Sequence, residues 1–181
     1  MKHQSDIVAL KYRPTDFKDL IGQEYLVETI QKSIELNKIP NAYIFTGIRG
    51  VGKTTTARIV AKMLNCTAFD QNNKPDLSRC DQAKAISEDR HPDVIEIDAA
   101  SNTSVENARE IIENVKYNPV LGKYKVYIID EVHMLSKSAF NALLKTLEEP
   151  PPHSKFIFAT TEISKVPITI LSRCQRFDLR R

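Results

Sequence analysis

The sequence predicts an α/β fold in which a mostly parallel sheet of five strands carries helices on both faces. The first observation is that short apolar segments typical of buried strands alternate with longer segments of helical period. The second is the pattern G-x-x-x-x-G-K-T at residues 47–54, between a strand-like and a helix-like segment. The third is an apolar segment that ends in two acids, Asp130 and Glu131. Because parallel strands end at one edge of their sheet, we expect a ligand crevice there.

Length and composition indicate one soluble domain. A chain of 181 residues can bury one good core but not two large ones. The hydrophobic fraction of 41% and the charged fraction of 27% are ordinary, and a net charge of +3 does not require a nucleic-acid partner. Three cysteines give no disulfide framework and suit a reducing compartment. Because the sequence shows no apolar leader and no stretch of membrane-spanning length, we expect a cytoplasmic protein with no membrane partner.

The elements around the glycine-rich pattern are predicted in chain order. Apolar residues recur with helical period over residues 24–37, which predicts a helix with one buried face. Residues 42–45 form a short apolar strand, and residues 55–64 form the helix after the pattern. Residues 67–76 are polar without a period, which predicts an irregular surface insertion. Residues 78–89 are consistent with a short helix.

The second half of the chain supplies the remaining strands. Residues 94–98 alternate between apolar and polar, as a strand does. Thr103 and Glu106 form a capping-box pair, which predicts a helix from there to about Lys116. Further strands are predicted at residues 124–129, 155–160 and 175–179, with a helix at residues 136–147.

The pattern at residues 47–54 has the chemistry of a phosphate-binding loop. Its three glycines let the backbone turn tightly and point N–H groups inward, and the following helix adds its positive dipole end. Lys53 can then reach the β- and γ-phosphates, and the Thr54 hydroxyl can bind magnesium. The alternative is a glycine-rich turn that carries a lysine by chance, but both flanks have the form that the motif requires. The residues assigned to the nucleoside triphosphate are Gly47, Ile48, Arg49, Gly50, Val51, Gly52, Lys53, Thr54 and Thr55.

The two acids after the strand at 124–129 complete this site. Asp130 fits the role of the acid that holds magnesium, and Glu131, pointing elsewhere, could act as general base for the attacking water. Acidic pairs after strands also occur by chance, so the prediction depends on their combination with the phosphate loop. His133 could be a proton shuttle or sensor, or could simply pack or cap locally. Thr161, at the end of the strand at 155–160, could contact the γ-phosphate or only end the strand.

Several further motifs accompany the loop and the acidic pair. They are Lys11-Tyr12-Arg13-Pro14, Leu20-Ile21-Gly22-Gln23, Glu96-Ile97-Asp98-Ala99-Ala100-Ser101, Asp130-Glu131-Val132-His133-Met134-Leu135, the run from Ala142 to Pro150, and Leu171-Ser172-Arg173-Cys174. In this order they resemble the AAA+ ATPases of the clamp-loader type, and more narrowly the gamma/tau family of bacterial DNA polymerase III. The resemblance covers nearly the whole chain, and its Ser-Arg-Cys element is specific to relatives of the clamp loader. It implies a phosphate-loop NTPase core of the AAA+ kind over residues 1–181.

The resemblance also implies a function with ATP and Mg²⁺ as ligands. The chain would be an ATP-hydrolysing motor subunit that helps to place a sliding clamp on primer–template DNA. Its partners would be the other subunits of a ring, the clamp and that DNA. Thr161 would be a sensor of the γ-phosphate, Arg173 an arginine finger for the neighbouring subunit's ATP, and the segment around Tyr12, Leu20 and Ile21 would hold adenine. Without the family match, Arg173 would be read as an ordinary surface arginine.

The sequence departs from the family in two respects. The family carries four zinc-binding cysteines in the insertion, here residues 66–91, but this chain has only Cys66 and Cys80 there. Structural zinc requires four ligands, so we expect no zinc unless His91 or an acid substitutes. The family's lid and collar domains do not follow within the 181 residues, which suggests a piece of something larger.

Two other functions fit parts of the pattern. A nucleotide-bound structural subunit of the same assembly would not hydrolyse ATP, but such a subunit lacks the intact loop and the Glu131 present here. Another AAA+ DNA motor, such as a branch-migration helicase, would share the loop and the acids. The element around Arg173 favours the clamp-loader type over that motor.

Overall fold

The computed structural model describes residues 14, 16, 19–20, 22–101 and 105–181. Two of the predicted adenine-binding residues, Tyr12 and Ile21, and the predicted capping residue Thr103 lie outside the described residues. The capping box therefore stays a prediction.

The described strands form one five-stranded sheet in the order β2-β3-β4-β1-β5, and each of its four pairings is parallel. The central strands are β3, β4 and β1, and all seven residues of β4 are buried. Strands buried on both faces are mostly apolar, and the middle of β4, residues 156–159, is apolar throughout, while its buried polar residues lie at its two ends. The strands are β1 Ala42–Thr46, β2 Val94–Asp98, β3 Lys125–Asp130, β4 Ser154–Thr160 and β5 Gln175–Asp178.

Apolar clusters lie on both faces of this sheet. Alternate residues of β3 divide between them, with Val126 and Ile128 in one cluster and Tyr127 and Ile129 in the other. The prediction of helices on both faces is thereby confirmed. The helices are α1 Glu24–Glu35, α2 Lys53–Asn65, α3 Asp81–Ser87, α4 Val105–Glu113, α5 Lys137–Glu148 and α6 Ile168–Leu171. The first cluster contains residues of α1 and α2, and the second contains residues of α4, α5 and α6.

Three predicted helices have different bounds in the structure. The helix predicted to reach residue 37 ends at Glu35, because Asn37 adopts a left-handed conformation with φ 52°. The helix predicted to reach Lys116 ends at Glu113. The segment 78–89 is not one helix: a 3₁₀ turn, Leu77–Arg79, precedes α3, and the extended backbone at Cys80 separates them.

The insertion between α2 and β2 is more ordered than its polar sequence predicted. Phe69 and Pro75 form an isolated antiparallel bridge. Asp70 closes the turn between them, since its Oδ1 accepts hydrogen bonds from the N–H groups of Asn72 and Lys74. The prediction of an irregular surface insertion at 67–76 is confirmed, because these residues form no helix or strand and most of them are exposed. An aspartate turn gives the segment its local order.

No helix in the described part of the chain combines the length and the apolar character needed to cross a membrane.

Candidate nucleotide site

A cavity of about 550 Å³ lies where the glycine-rich loop meets the carboxyl ends of β2, β3 and β4. Sites at this edge are expected of a parallel sheet, because the loops after the strands converge there. The lining residues are Arg49, Gly50, Gly52, Lys53, Thr54, Thr55, Asp98, Ala100, Asp130, Glu131 and Thr161. Most of the residues predicted to bind phosphate or to act in hydrolysis are thus brought together.

Two glycines of the loop meet strict backbone requirements. Gly52 has φ 96° at the position that caps α2, a conformation that side chains with a Cβ rarely adopt. At Gly47, a Cβ would lie 2.8 Å from Val51 Cγ1 and 2.9 Å from the Leu179 carbonyl oxygen. The glycines therefore let the loop pass close to β5 and present the first turn of α2 to the cavity.

Lys53 is the first residue of α2 and is nearly buried, with 6% of its surface exposed. Its ammonium donates hydrogen bonds to the carbonyl oxygens of Gly47, at 2.8 Å, and Ile48, at 3.0 Å. Burial lowers the pKa of Lys53, and the nearby carboxylates of Glu131 and Asp130 oppose that shift. The amine is thus held by the loop itself in a position to serve a phosphate.

Thr54 and Asp130 form a second contact across the cavity. The Thr54 hydroxyl donates a hydrogen bond to Asp130 Oδ2 at 2.9 Å. The other carboxylate oxygen of Asp130 accepts a hydrogen bond from the Glu131 N–H at 3.0 Å. The pair offers two oxygen atoms of the kind that binds Mg²⁺.

Glu131 has an unusual backbone for its residue type. Its φ of 51° and ψ of 47° are left-handed, and such strain concentrates at functional sites. Its Oε2 accepts a hydrogen bond from the Thr161 hydroxyl at 3.0 Å. The two residues predicted to handle the attacking water and to sense the γ-phosphate are therefore in direct contact.

Two cavity residues were missed by sequence reasoning. Asp98 ends β2 directly opposite Asp130 in the sheet register, and Ala100 follows it. The predicted strand at 94–98 carried the needed signal, because its carboxyl end must lie at the same edge as that of β3. The pattern does not show that β2 lies beside β3, and the place of Asp98 in the cavity depends on that pairing.

Other predicted residues lie away from the cavity wall. Ile48 is 61% exposed, while Val51 packs against the core cluster that also contains Leu20. Arg173 is exposed and is not among the lining residues. Its guanidinium donates a hydrogen bond to the Thr169 carbonyl at 2.7 Å and lies 3.6 Å from Glu148 Oε1.

The two cysteines of the insertion lie together. Cys66 and Cys80 are both buried, and the Cys66 thiol donates a hydrogen bond to the Ala68 carbonyl oxygen at 3.0 Å. Burial raises the pKa of the Cys66 thiol. Within the described residues, no cluster of three or more His, Cys, Asp or Glu side chains has the geometry of a metal site.

Comparison with known proteins identifies the family. A family model described as "DNA polymerase III, delta subunit" matches residues 22–181, which is most of the chain. The chain belongs to this family. The resemblance to AAA+ proteins of the clamp-loader type is thus confirmed.

Curated proteins similar to this chain have gamma and tau subunit names. The chain is 51% identical over 174 residues to DNA polymerase III subunit tau/gamma of Haemophilus influenzae, covering 96% of this chain and 25% of the relative. It is 51% identical to subunit tau of Escherichia coli, with 96% and 27% coverage, and 52% identical to subunit tau of Bacillus subtilis, with 94% and 30%. The chain therefore spans less than a third of these relatives.

Solved structures support the fold alone. A gamma subunit-related protein of DNA polymerase III from Thermotoga maritima superposes with a TM-score of 0.60 at 22% identity, covering 86% of this chain and 46% of that one. The RuvB Holliday junction branch migration motor from the same organism superposes with a TM-score of 0.60 at 18% identity. It covers 93% of this chain and 48% of the motor. The AAA+ core fold predicted from the sequence is confirmed.

Proposed function

We propose that this chain binds ATP with Mg²⁺ and hydrolyses it as a motor of a clamp loader, which places a sliding clamp on primed DNA. The observation that carries the proposal is the convergence of Lys53, the Thr54–Asp130 pair and the Glu131–Thr161 pair on one cavity. Each of the three groups supplies a different requirement of phosphoryl transfer: charge, metal ligands and a base.

Binding would begin with the phosphates on the loop. Backbone N–H groups of the loop and the amino end of α2 attract the β-phosphate, and Lys53 moves from its carbonyl partners to phosphate oxygens. Thr54 and Asp130 would hold the magnesium ion, whose charge neutralises the phosphate oxygens. The residues present fit this ion, because Mg²⁺ in such sites needs only one or two protein oxygens.

Hydrolysis would use Glu131 as the base. The attacking water bonds through its oxygen to the γ-phosphorus and gives a proton to the Glu131 carboxylate. The bond from the γ-phosphorus to the bridging oxygen breaks, and ADP departs with its electrons. The Thr161 hydroxyl, now hydrogen-bonded to Glu131, lies where it can exchange that partner for a γ-phosphate oxygen. The contact thus couples the base to the presence of the γ-phosphate.

Arg173 would act on a neighbouring subunit. It lies outside the cavity of its own chain, is exposed and is held only by Thr169 and Glu148 in the described contacts. An arginine in this position can reach a site on another protomer, where its fixed charge offsets the charge that develops on the phosphoryl group. The proposed partners are therefore other clamp-loader subunits arranged in a ring, together with the clamp and primer–template DNA.

The experiment that tests hydrolysis replaces the proposed base by a side chain of the same size and shape that cannot accept a proton. Glu131→Gln keeps a side chain of the same size at the cavity edge but cannot take the proton. We expect ATP affinity to stay within about threefold while turnover falls on the order of a hundredfold or more. A loss of affinity together with turnover would make Glu131 a binding residue, and unchanged turnover would remove it from the reaction.

A further inference from the structure

The ring of His133 lies beside the Glu131 carboxylate but does not line the cavity. The residue belongs to the 3₁₀ turn Val132–Met134 that follows β3, and its side chain is only 4% exposed. A buried imidazole has two nitrogens that both need polar partners. The partners of His133 come from the two loops that also supply the proposed base and sensor.

The Nδ1 atom fixes the ring to the end of β4. It lies 2.8 Å from the hydroxyl oxygen of Thr160, a residue with no exposed surface. That oxygen also accepts a hydrogen bond from the Glu162 N–H at 3.0 Å. A hydroxyl that accepts one hydrogen bond still has its own hydrogen to donate, so Thr160 can donate to Nδ1. The ring is thereby anchored on a rigid central strand.

The Nε2 atom faces two carboxylates. It lies 3.2 Å from Glu162 Oε2 and 3.5 Å from Glu131 Oε2. Ionised carboxylates only accept hydrogen bonds, so the nitrogen that faces them carries a hydrogen. Glu162 has a second partner, because Lys165 Nζ lies 2.9 Å from the same oxygen.

The contacts of Glu131 connect His133 with hydrolysis, because they hold the carboxylate of the proposed base in one position. A glutamate has three rotatable side-chain bonds, and an unheld carboxylate samples many positions. In the described contacts, Oε2 is held by Thr161 and faced by His133, while the left-handed backbone fixes the start of the side chain. A general base must lie within hydrogen-bond reach of its water, and a displacement of about 1 Å can cost a large factor in rate.

We propose that His133 is a positioning residue for Glu131. Its Nε2–H faces the carboxylates of Glu131 and Glu162 and restrains that of Glu131 at the edge of the cavity, while its Nδ1 is hydrogen-bonded to Thr160 at the end of β4. The inference rests on the proposed function of Glu131 as the base. His133 then connects Glu131, which follows β3, with the end of β4 and the loop that carries Thr161. The position of the base is thereby tied to the position of that loop.

Two substitutions distinguish the role of Nε2 from that of Nδ1. In His133→Gln the amide nitrogen can extend to the position of Nε2, whereas in His133→Asn a polar atom replaces only Nδ1. Both are measured in the full chain assembled with its ring partners. We expect His133→Asn to lower kcat about tenfold with the KM and the Kd for ATP unchanged, and His133→Gln to retain kcat within about threefold. An unchanged Kd also shows that the variant is folded.

A matched control and a double mutant exclude a merely structural effect. The side chain of His153, just before β4, contacts only the Val115 carbonyl in the described hydrogen bonds, so His153→Gln should leave kcat unchanged. In a Glu131→Gln background, His133→Asn should lower the residual single-turnover rate no further, because the residue it positions is already inactive. If His133→Asn fails to bind ATP, His133→Gln must still turn over as the wild type does.

Three results would overturn the role of His133. They are a wild-type kcat in His133→Asn, a tenfold loss in His133→Gln, and an equal loss in the Glu131→Gln background. Failure of the underlying function has a separate signature, since Glu131→Gln alone would then turn over at the wild-type rate.

Discussion

The Thr54 hydroxyl donates a hydrogen bond to Asp130 Oδ2 at 2.9 Å, although the two residues are 76 positions apart in the chain. The contact joins the start of α2 to the end of β3, so the phosphate loop and the acidic pair form one unit. Each partner is an oxygen ligand of the kind Mg²⁺ binds.

This pair predicts a specific change in magnesium dependence. Thr54→Ala removes one proposed ligand and the hydrogen bond that Asp130 Oδ2 accepts. We expect the Mg²⁺ concentration for half-maximal ATP binding to rise about tenfold or more, the equivalent of ~1.4 kcal/mol. Titration of Mg²⁺ at fixed ATP measures it, and Thr54→Ser, which keeps the hydroxyl, is the matched control. Identical curves for the alanine and serine variants would show that the hydroxyl binds no metal.

The phosphate loop could be predicted from the sequence because its chemistry is local. The spacing of Gly47, Gly52 and Lys53 fixes backbone turn, helix start and charge within eight residues of chain. Contacts between loops could not be predicted in the same way. The Thr161–Glu131 hydrogen bond exists because β4 lies beside β3, and strand order is a tertiary property.

The local order of the insertion at 67–76 could not be predicted from the sequence pattern either. Hydrophobic period is the main signal of secondary structure, and residues 67–76 have none. Side-chain hydrogen bonds of Asp70 and Asp76 order this segment instead. Such local contacts do not depend on a repeating hydrophobic pattern, so the pattern of this segment gave no sign of them. Cys66 and Cys80, on either side of this segment, lie close in space, which their separation in the chain did not indicate.

The zinc prediction can be tested directly on the purified chain. Two buried thiols supply at most two of the four ligands that structural zinc requires, and burial raises the pKa of Cys66 against the thiolate form. We expect less than one zinc per molecule by elemental analysis. The double variant Cys66→Ser, Cys80→Ser should give the same content. Stoichiometric zinc that disappears in the double variant would instead establish a site completed by other residues.

Asp93 is predicted to stabilise the fold in a pH-dependent way. Its buried carboxylate accepts hydrogen bonds from the N–H groups of Val120, Leu121 and Gly122. Burial raises the pKa of Asp93, but these three hydrogen bonds outweigh that effect and hold the pKa below its usual value. A depressed folded pKa gives stability that is present above the unfolded pKa of about 3.9 and is lost as the pH falls through the folded value.

The substitution that tests this is Asp93→Asn, which replaces one accepting oxygen by a donor. We expect the free energy of unfolding at pH 7 to fall by about 2–3 kcal/mol in urea titrations. The difference from the wild type should narrow below about pH 4, because the carboxylate is protonated there in the unfolded chain and, at still lower pH, in the folded protein. Asp89→Asn, at an exposed aspartate, is the control and should change stability little. A difference that stays constant with pH would refute the role of the charge.

Arg173 is predicted to act between subunits. The isolated chain should be a monomer that binds ATP but hydrolyses it slowly, because its own Arg173 does not line its own cavity. In an assembled ring, Arg173→Ala should lower turnover on the order of 10³-fold, or less if other groups compensate, while ATP binding survives.

Mixing two inactive variants distinguishes action in trans from action in cis. Subunits with Arg173→Ala and subunits with Lys53→Ala are combined in one ring, and turnover is compared with that of each variant alone. A finger in trans restores activity at interfaces that pair an intact loop with an intact arginine. Mixtures that never exceed the single variants would place the arginine's action in its own chain.

Lys53 and its loop are proposed to bind the phosphates of ATP. Lys53→Ala removes the charge but leaves the loop amides, so we expect affinity to fall on the order of a hundredfold or more. Lys32→Ala, at an exposed lysine paired with Glu35, is the matched control and should bind as the wild type does. The decisive measurement is equilibrium binding of a fluorescent ATP analogue to these two variants. Near-complete loss of binding in Lys53→Ala alone is the predicted result, and unchanged affinity in that variant would contradict the assignment of the site.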